Sequence, residues 1–576
     1  MPTVILGINA FHGDSSAALV VDGKLISAVE EERFNRVKHW AGFPAESIRW
    51  CLKDAGLKPQ DIDHVAVNFN PRANWQVKAA FALRNLTSAR EYIWSRVKRQ
   101  GRQSSLRQDV ADALGCTAGD IRAQFHSVEH HQAHIASGFP VSPFQEAAIL
   151  SIDGMGDFVS AMMAGGEGNN WKVYNKTYYP HSIGLLYSAF TMYLGFPHFG
   201  DEYKVMGLAP YGKPIYVEKL RKLIRPTATG YELNLDFFKH HKEGIRLGWD
   251  GGSPTVAPFY SELMEKEFGP TRDPKTPLTD YHQDLAASLQ VVTEEIIFHL
   301  LNVLHKIHPS DNVVIVGGVA MNSVANGKVT QNSPFKNVFV PAGAADNGGS
   351  FGSAFYVWHR VLGQPRSFVQ THGQWGPGVD DAECEAAIRE AGLPVRKLTQ
   401  AELIETATQA LSDGKVFGWF EGRMEFGARA LGSRSLLADP RRTDMRELIN
   451  LKIKFREKFR PFAPSILEEY VDDYFEINAP APFMEKVFKI KQDKRASIPA
   501  VTHVDGSGRL QSVGKVANPL YWELIEGFRK KTGIPLVLNT SLNENEPIVN
   551  TPKQALSCFM RTKMDAIALG SYWVTR

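Results

Sequence analysis

The sequence is poor in cysteine: 576 residues contain four, Cys51, Cys116, Cys384 and Cys558, with no CxxC pair. A disulfide framework and a thiolate zinc site are therefore not expected. No apolar run approaches 18 residues, which argues against a membrane-spanning helix. The opening MPTVILGINAFHGDSS has no basic stretch followed by an apolar one, so it does not read as a secretory signal. Charge of either sign is not in excess, and a net +3 is too small by itself to imply a nucleic-acid partner. What remains is 43% hydrophobic and 22% charged, ordinary for a globular chain, and too long for one core. Two or three domains and a reducing, cytoplasmic, enzyme-sized protein are expected.

The stretch His126-Ser-Val-Glu-His130-His131-Gln-Ala-His134 carries the first chemical signal. On a helix, His130 and His134 share a face with Cβ atoms about 5–6 Å apart, which suits two ligands of one transition metal. Solvated or core histidines are the competing reading. His131 points elsewhere and has no assigned role. Two strand–tip–strand patterns flank this stretch. In the first, TVILGIN is followed by His12-Gly13-Asp14-Ser15-Ser16, then two strands joined by Asp22-Gly23, a tight hairpin signal. In the second, AAILSI runs into Asp153-Gly154-Met155-Gly156-Asp157 and returns as FVSAMMA. The repetition suggests a duplicated actin-like unit that grips phosphate between hairpin tips. Residues 75–100 read as a helix, and the stretch through Arg107 carries Arg84, Arg90, Arg96, Lys98, Arg99 and Arg102 among aromatics. A solvated helix with a packed aromatic face is the favoured reading.

Glycines then recur near candidate binding residues. Gly195, Gly200, Gly207 and Gly212, with Lys204 among them, would allow close approach of a ligand. Residues 225–280 are irregular and read as an excursion or lid, and 279–307 as a long amphipathic helix. NVVIV ends in Gly317-Gly318, and MNSVANGK, with Asn322, is expected to open a helix whose N-terminus favours an anion. This stretch is neither GxGxxG nor a Walker motif, so a Rossmann or P-loop site is not expected there. Asp346, in a glycine-rich loop, is a candidate further metal ligand or a simple turn Asp. The Pro/Gly-rich residues 363–378 mark the boundary, giving domains 1–365 and 366–576. Beyond it, Arg423, Arg429, Arg434, Lys452, Lys454, Arg456, Lys458 and Arg460 crowd together among apolar residues, where unpaired charge is costly. A pocket for polyanions, most simply ATP and a second phosphate, is expected. The strand PLVLNTSLN brings Ser541 and Asn543, residues able to bind phosphate oxygens or ribose.

FHGDSSAALVVDG, EEERF, HHQAH, SIDGMGD, KVMGLAPYG, GGVAMNSVANGK, ADNGGS, GRMEFGARALGSRSLL, KFREKFRPFAP, HVDGSGRLQSV and NTSLN occur in this order over nearly the whole chain. Together they resemble the NodU/CmcH-type O-carbamoyltransferases. The resemblance implies an α/β protein: an actin-like (ASKHA, Kae1-like) N-terminal domain and a YrdC-like C-terminal domain. It implies that carbamoyl phosphate and ATP form carbamoyl adenylate in the C-terminal domain. The N-terminal domain then transfers the carbamoyl group to a hydroxyl of a small-molecule acceptor. Carried over by position, the metal ligands are His130, His134, Asp153 and Asp346. The ion would be iron, with zinc or manganese as alternatives, and Mg²⁺ could accompany ATP. Lys204, Gly207, Gly317, Gly318 and Asn322 would meet nucleotide. Arg423, Arg429, Lys454, Arg460, Arg509, Ser541 and Asn543 would meet carbamoyl phosphate and ATP.

One departure concerns the base. Some members read His-Asp at the first hairpin, whereas here Gly13 intervenes between His12 and Asp14. His12 is retained as the expected base, with Asp14 in reserve. Threonylcarbamoyl transfer to tRNA is the rival activity, but the small net charge does not favour it. The hydrogenase-maturation carbamoyltransferases carry paired CxxC modules that are missing here. A nucleotide-binding scaffold is the non-enzymatic alternative. No nucleic acid or integral membrane partner is expected, and a homodimer would be in keeping with the family.

Overall fold

The computed structural model describes residues 2–85, 106–248 and 254–576. Most of the basic-aromatic stretch, from Arg90 to Arg102, lies outside them. The chain forms two compact units. One comprises Met1–Glu32, Val37–Asn322 and Val329–Gln370; the other comprises Arg33–Arg36, Ser323–Lys328 and Thr371–Arg576. The change of unit falls at Gln370, five residues beyond the expected boundary. Side chains explain the shift: Arg366 donates to the carbonyls of Pro140, Ser142 and Phe144, and Gln370 Oε1 accepts from the Ala342 N–H at 2.8 Å.

The first unit is built on two five-stranded sheets of the same strand order. Val4–Asn9 (β1), Ser16–Val21 (β2) and Lys24–Glu30 (β3) form an antiparallel meander, and His64–Val67 (β4) and Gln124–Ser127 (β5) add in parallel beyond β1, giving β3-β2-β1-β4-β5. The apolar run of β1 is buried at every position, as a central strand covered on both faces requires. Asp22 and Gly23 both adopt positive φ, 47° and 75°, the conformation of a tight type I′ turn. In the second sheet Glu146–Gly156 (β6), Val159–Glu167 (β7) and Asn170–Tyr178 (β8) repeat the meander. After two short ladders, Ile224–Pro226 (β9) with Tyr231–Leu233 (β10) and Leu247–Gly248 (β11) with Thr255–Val256 (β12), the strands Asn312–Val316 (β13) and Asn337–Phe339 (β14) complete the order β14-β13-β6-β7-β8.

Two expectations need correction. The second hairpin turns at Asp157 and Phe158, at φ 46° and 73°, and Asp153 lies before the turn, where the β6–β7 register slips between Ile152 and Gly156. MNSVANGK does not open a sustained helix: a 3₁₀ turn, Gly318–Met321, and one helical turn, Ser323–Asn326, are separated by Asn322 at ψ 82°. The long helix Asp280–Ile307 forms as expected. It is apolar and long enough to cross a membrane by composition alone, but 67% of its most apolar window is buried within the protein.

The second unit is organised on one nine-stranded sheet. Its strands are Val395–Lys397 (β15), Phe417–Phe420 (β16), Arg434–Ala438 (β17), Ala463–Leu467 (β18), Lys486–Lys489 (β19), Ser507–Val513 (β20), Leu536–Ser541 (β21), Ala566–Leu569 (β22) and Tyr572–Thr575 (β23), in the order β15-β23-β22-β16-β17-β21-β18-β20-β19. Side chains alternate between two cores. Leu436, Ala438, Leu536, Leu538 and Ile567 enter one, while Leu437, Val537, Ala566 and Ala568 enter the other. Helices cover both faces, so these strands read as continuous apolar runs.

Glycine sets one helix crossing that matters for the site. The helix Gly349–Tyr356 lies on the histidine helix, His130–Gly138, and a Cβ at Gly352 would stand 2.1 Å from the Ala133 carbonyl oxygen. Backbone blocks that position, so the helices would have to separate. Gly352→Ala should cost about 1–3 kcal/mol of stability, measured as a lower denaturant midpoint with an unchanged slope.

Candidate metal centre and anion pocket

The histidine helix starts at Glu129, whose side chain caps it by accepting from the Gln132 N–H at 2.8 Å. Asp157, at the second hairpin turn, accepts from the N–H groups of His130 at 2.9 Å and Asn70 at 2.8 Å. The helix is therefore anchored at its first turn from two directions, and its two histidines face inward. Their Nε2 atoms are 3.0 Å apart. Asp153 Oδ2 lies 2.9 Å from His130 Nε2 and 3.3 Å from His134 Nε2. Asp346 Oδ1 lies 3.6 and 3.5 Å from the same two nitrogens. The other Asp153 oxygen, Oδ1, accepts from the N–H groups of Gly154 at 2.7 Å and Gly318 at 3.0 Å, which fixes the carboxylate. Gly156 makes room for the His130 ring, which a Cβ there would meet at 2.0 Å.

These residues fit a metal ion. Four ligands held about 2.0–2.2 Å from one ion stand about 3–3.6 Å from one another, the spacing found among these donors. Asp346 Oδ1 is buried without a hydrogen-bond partner among the described residues, and a cation would satisfy it. Nitrogen and oxygen donors together accept iron, zinc or manganese.

The charges are mutually dependent. Burial disfavours charged His130, but the hydrogen bond with Asp153 and the charge of Asp346 outweigh it and push its pKa up to about 9. Burial would raise Asp153, yet the two imidazoles hold it well below the usual carboxylate range. Asp346 is raised by burial and by the nearby Asp153 charge. A metal ion would replace the protons that balance these carboxylates. His131 has a different task. Its Nδ1 meets Ser151 Oγ at 2.7 Å and its Nε2 the Val159 carbonyl at 3.0 Å, and burial and the neighbouring histidines keep it well below its ordinary pKa. It is a neutral tie between the helix and the second sheet.

The His12 ring lies 5.2 Å from that of His130, centroid to centroid, so the additional Gly13 leaves His12 beside the candidate metal donors. Asp14 is turned away and pairs with His39, Oδ1 to Nδ1 at 2.7 Å.

The expected nucleotide residues are engaged with protein. Lys204 Nζ is 2.9 Å from Asp201 Oδ1, and the Asn322 amide exchanges two hydrogen bonds with that of Gln290, at 3.0 and 3.1 Å. Gly318 donates to Asp153, and a Cβ at Gly317 would meet the Ile152 carbonyl at 2.3 Å. Gly318 thus serves the Asp153 carboxylate, and Gly317 the Ile152 backbone beside it, by close approach. Gly207 lies half-buried within the helix Glu202–Leu208.

In the second unit, Lys454 is buried and donates from Nζ to the Ser541 carbonyl, to the Asn543 carbonyl at 2.8 Å and to Asn543 Oδ1 at 2.6 Å, while Ser541 Oγ donates to Asn543 Oδ1 at 2.7 Å. Arg509 collects the arginines. Burial, then the charges of Arg429, Arg460 and Arg456, hold its pKa well below the ordinary guanidinium range. Its Nε is buried without a hydrogen-bond partner among the described residues. Like charges gathered in this way fit a polyanion. Arg423 instead donates to the carbonyls of Gly376 at 3.1 Å and Trp375 at 2.9 Å. Arg434, fully buried over the Phe420 ring, donates to the carbonyls of Glu421 and Pro377 at 2.9 Å each. Arg456, one of the crowded cations of the sequence, joins the pocket, and so does His503, which the sequence did not single out. Burial and the Arg509 charge push His503 down to about 4, against the pull of Asp505. Its place in HVDGSGR, six residues before Arg509, was the available signal.

Two family models match the chain. Residues 4–355 match the family model "Carbamoyltransferase N-terminus" and residues 408–576 "Carbamoyltransferase C-terminus". The chain is 39% identical to an uncharacterised protein of Synechocystis, over 99% of this chain and 96% of that one. It is also 39% identical to nodulation protein NolNO of Sinorhizobium fredii, over 99% of this chain and 80% of that one. Among solved structures, the activator of 2-hydroxyisocaproyl-CoA dehydratase from Clostridium difficile aligns with 63% of this chain and 96% of that one, at 12% identity and a TM-score of 0.31. With both halves matched and such relatives covering nearly its full length, the chain belongs to the NodU/CmcH-type carbamoyltransferase family and is a carbamoyltransferase.

Proposed function

We propose that the protein is an ATP-dependent O-carbamoyltransferase that uses carbamoyl phosphate and modifies a hydroxyl of a small-molecule acceptor. Its C-terminal unit corresponds to the YrdC-like adenylate-forming domain, and its N-terminal unit to the actin-like, Kae1-like transfer domain. The observation that carries the reading is the gathering of Arg429, Arg456, Arg460 and Arg509 in one unit of a carbamoyltransferase, with a separate four-donor metal cluster in the other. Two centres of different chemistry suit a two-step reaction.

Conservation of atoms sets the first step: carbamoyl phosphate, ATP and one water give carbamoyl adenylate, pyrophosphate and phosphate. Both substrates are polyanions, so bringing them together requires cations, which the arginine cluster supplies without reorganisation. Lys454 fixes the Ser541–Asn543 turn for oxygen contacts on the same substrates. In the N-terminal unit, His130, His134, Asp153 and Asp346 would hold the metal, which when bound would supply Lewis-acid polarisation of an oxygen on the activated group. His12 accepts the proton of the acceptor hydroxyl as its oxygen attacks the carbamoyl carbon and AMP leaves. The metal is expected to be iron, with zinc or manganese as alternatives.

Three substitutions separate the steps. His12→Ala should leave pyrophosphate release intact and lower carbamoyl transfer by about 10²–10⁴-fold; undiminished transfer removes His12 from the role. His130→Ala should lose bound metal, read by elemental analysis, together with transfer. Arg460→Ala should lose pyrophosphate release first, and an unchanged rate of release would count against the arginine pocket as the adenylating site. A screen of hydroxyl acceptors with labelled carbamoyl phosphate and ATP tests the reading as a whole.

A further inference from the structure

The loop that carries His12 is strained and depends on its neighbours. Phe11 and Asp14 adopt positive φ, 63° and 56°, a region unfavourable for residues with a Cβ. Asn9 Nδ2 holds the loop from beneath by donating to the carbonyls of Gly13 at 3.0 Å and Asp14 at 2.9 Å. The other wall is the segment His39–Gly42. The Phe11 N–H donates to the Gly42 carbonyl at 3.2 Å, the Ser15 N–H to the Trp40 carbonyl at 2.8 Å, and Ser15 Oγ to the Gly42 carbonyl at 2.7 Å. An ionic contact also joins this wall to the loop: His39 Nδ1 to Asp14 Oδ1 at 2.7 Å, with about a quarter of each side chain exposed.

His39 is seated with care. Its backbone N–H donates to Glu32 Oε2 at 2.8 Å, and its ring packs edge-to-face on Phe199 at 5.6 Å between centroids. Gly200, at φ 85°, passes so close that a Cβ there would meet His39 Nε2 at 2.4 Å. Gly13 accommodates the other side of Phe199, whose ring a Cβ would meet at 2.6 Å. The glycine that lengthens the loop and the loop at 199–200 are thus both fitted around the His39–Asp14 contact.

Resting on the reading of His12 given above, we propose that His39 is a positioning residue: as a cation it clamps the Asp14 carboxylate and so holds the strained loop with His12 turned toward the metal ligands. The groups facing it are Asp14 from the loop, Glu32 from the preceding turn and Glu202 from the helix Glu202–Leu208, with Lys38 beside it in the chain. Burial opposes the charge on His39, but Asp14 and then Glu32 outweigh that and push its pKa up to about 9. The folded value therefore lies above the unfolded one. The clamp is complete at pH below the ordinary histidine value and is released as pH rises through about 9.

Two measurements on the full-length protein test this. The first needs no turnover: NMR titration of the His39 C2 proton in protein carrying ¹³C-labelled histidine, assigned with His39→Gln. A midpoint near 9 that falls toward the ordinary histidine value in Asp14→Asn supports the clamp; an ordinary midpoint in the unsubstituted protein overturns it, whatever the enzyme does. The second uses glycerol as a surrogate hydroxyl acceptor with labelled carbamoyl phosphate and ATP. His39→Ala should lower kcat for glyceryl carbamate by about 10²-fold, leave the KM for carbamoyl phosphate and pyrophosphate release within twofold, and lose the alkaline fall in rate. His39→Arg, which keeps a planar cation against Asp14, should recover most of the rate across that pH range. Equal rates and an unchanged alkaline limb in both variants overturn the proposal. A failure of the unsubstituted protein to carbamoylate any hydroxyl, with a normal His39 titration contrast, strikes the function reading instead and leaves the clamp established.

Discussion

Two buried imidazoles, a buried carboxylate and a partly exposed one stand within a few ångströms of one another, a demanding arrangement. Each group loses hydration, and their stability depends on mutual neutralisation, by protons or by a cation. The surrounding structure meets that demand with backbone. Asp153 is fixed by two N–H groups, and the histidine helix is capped by Glu129 and held by Asp157. Glycines at 156 and 352 remove the side chains that would push the ligands apart. The two sheets of shared strand order bring these pieces together, because β6 carries Asp153 beside the helix that carries the histidines.

The second unit solves the opposite problem. There the concentration of charge has one sign, and a fold can hold several guanidiniums together when polar groups and bound anions compensate them. The arginines divide accordingly. Arg423 and Arg434 donate to backbone carbonyls and serve as internal braces, while the charges of Arg429, Arg456 and Arg460 bear on the buried Arg509. A cation of either kind looks the same in a sequence.

That division shows where sequence reading succeeds and where it stops. The His130–His134 pair was legible because helical spacing is local, and the strands were legible because burial on both faces leaves unbroken apolar runs. Asp153 enters the expected donor set only through family resemblance. Its position depends on a register slip in β6, which involves the partner strand as well as its own residues. Close backbone approach at Gly317 and Gly318 has a further use the sequence does not show: Gly317 packs on the Ile152 backbone and Gly318 donates to Asp153. The short helix expected after them failed because Asn322 pairs with Gln290, a partner 32 positions away in sequence. The Asp14–His39 contact was missed for the same reason: its strength comes from a wall formed by a later segment.

His131, His240 and His503 form a set through their protonation. All three have folded pKa values below the ordinary histidine value, His240 and His503 at about 4, chiefly because burial disfavours their charged forms. In the unfolded chain each binds a proton readily once the pH drops below the mid-sixes. Acidification therefore favours the unfolded chain, increasingly as pH falls toward 4. Neutral histidines in both units thus add to the carboxylates, Asp153 among them, in working against the folded state as pH falls.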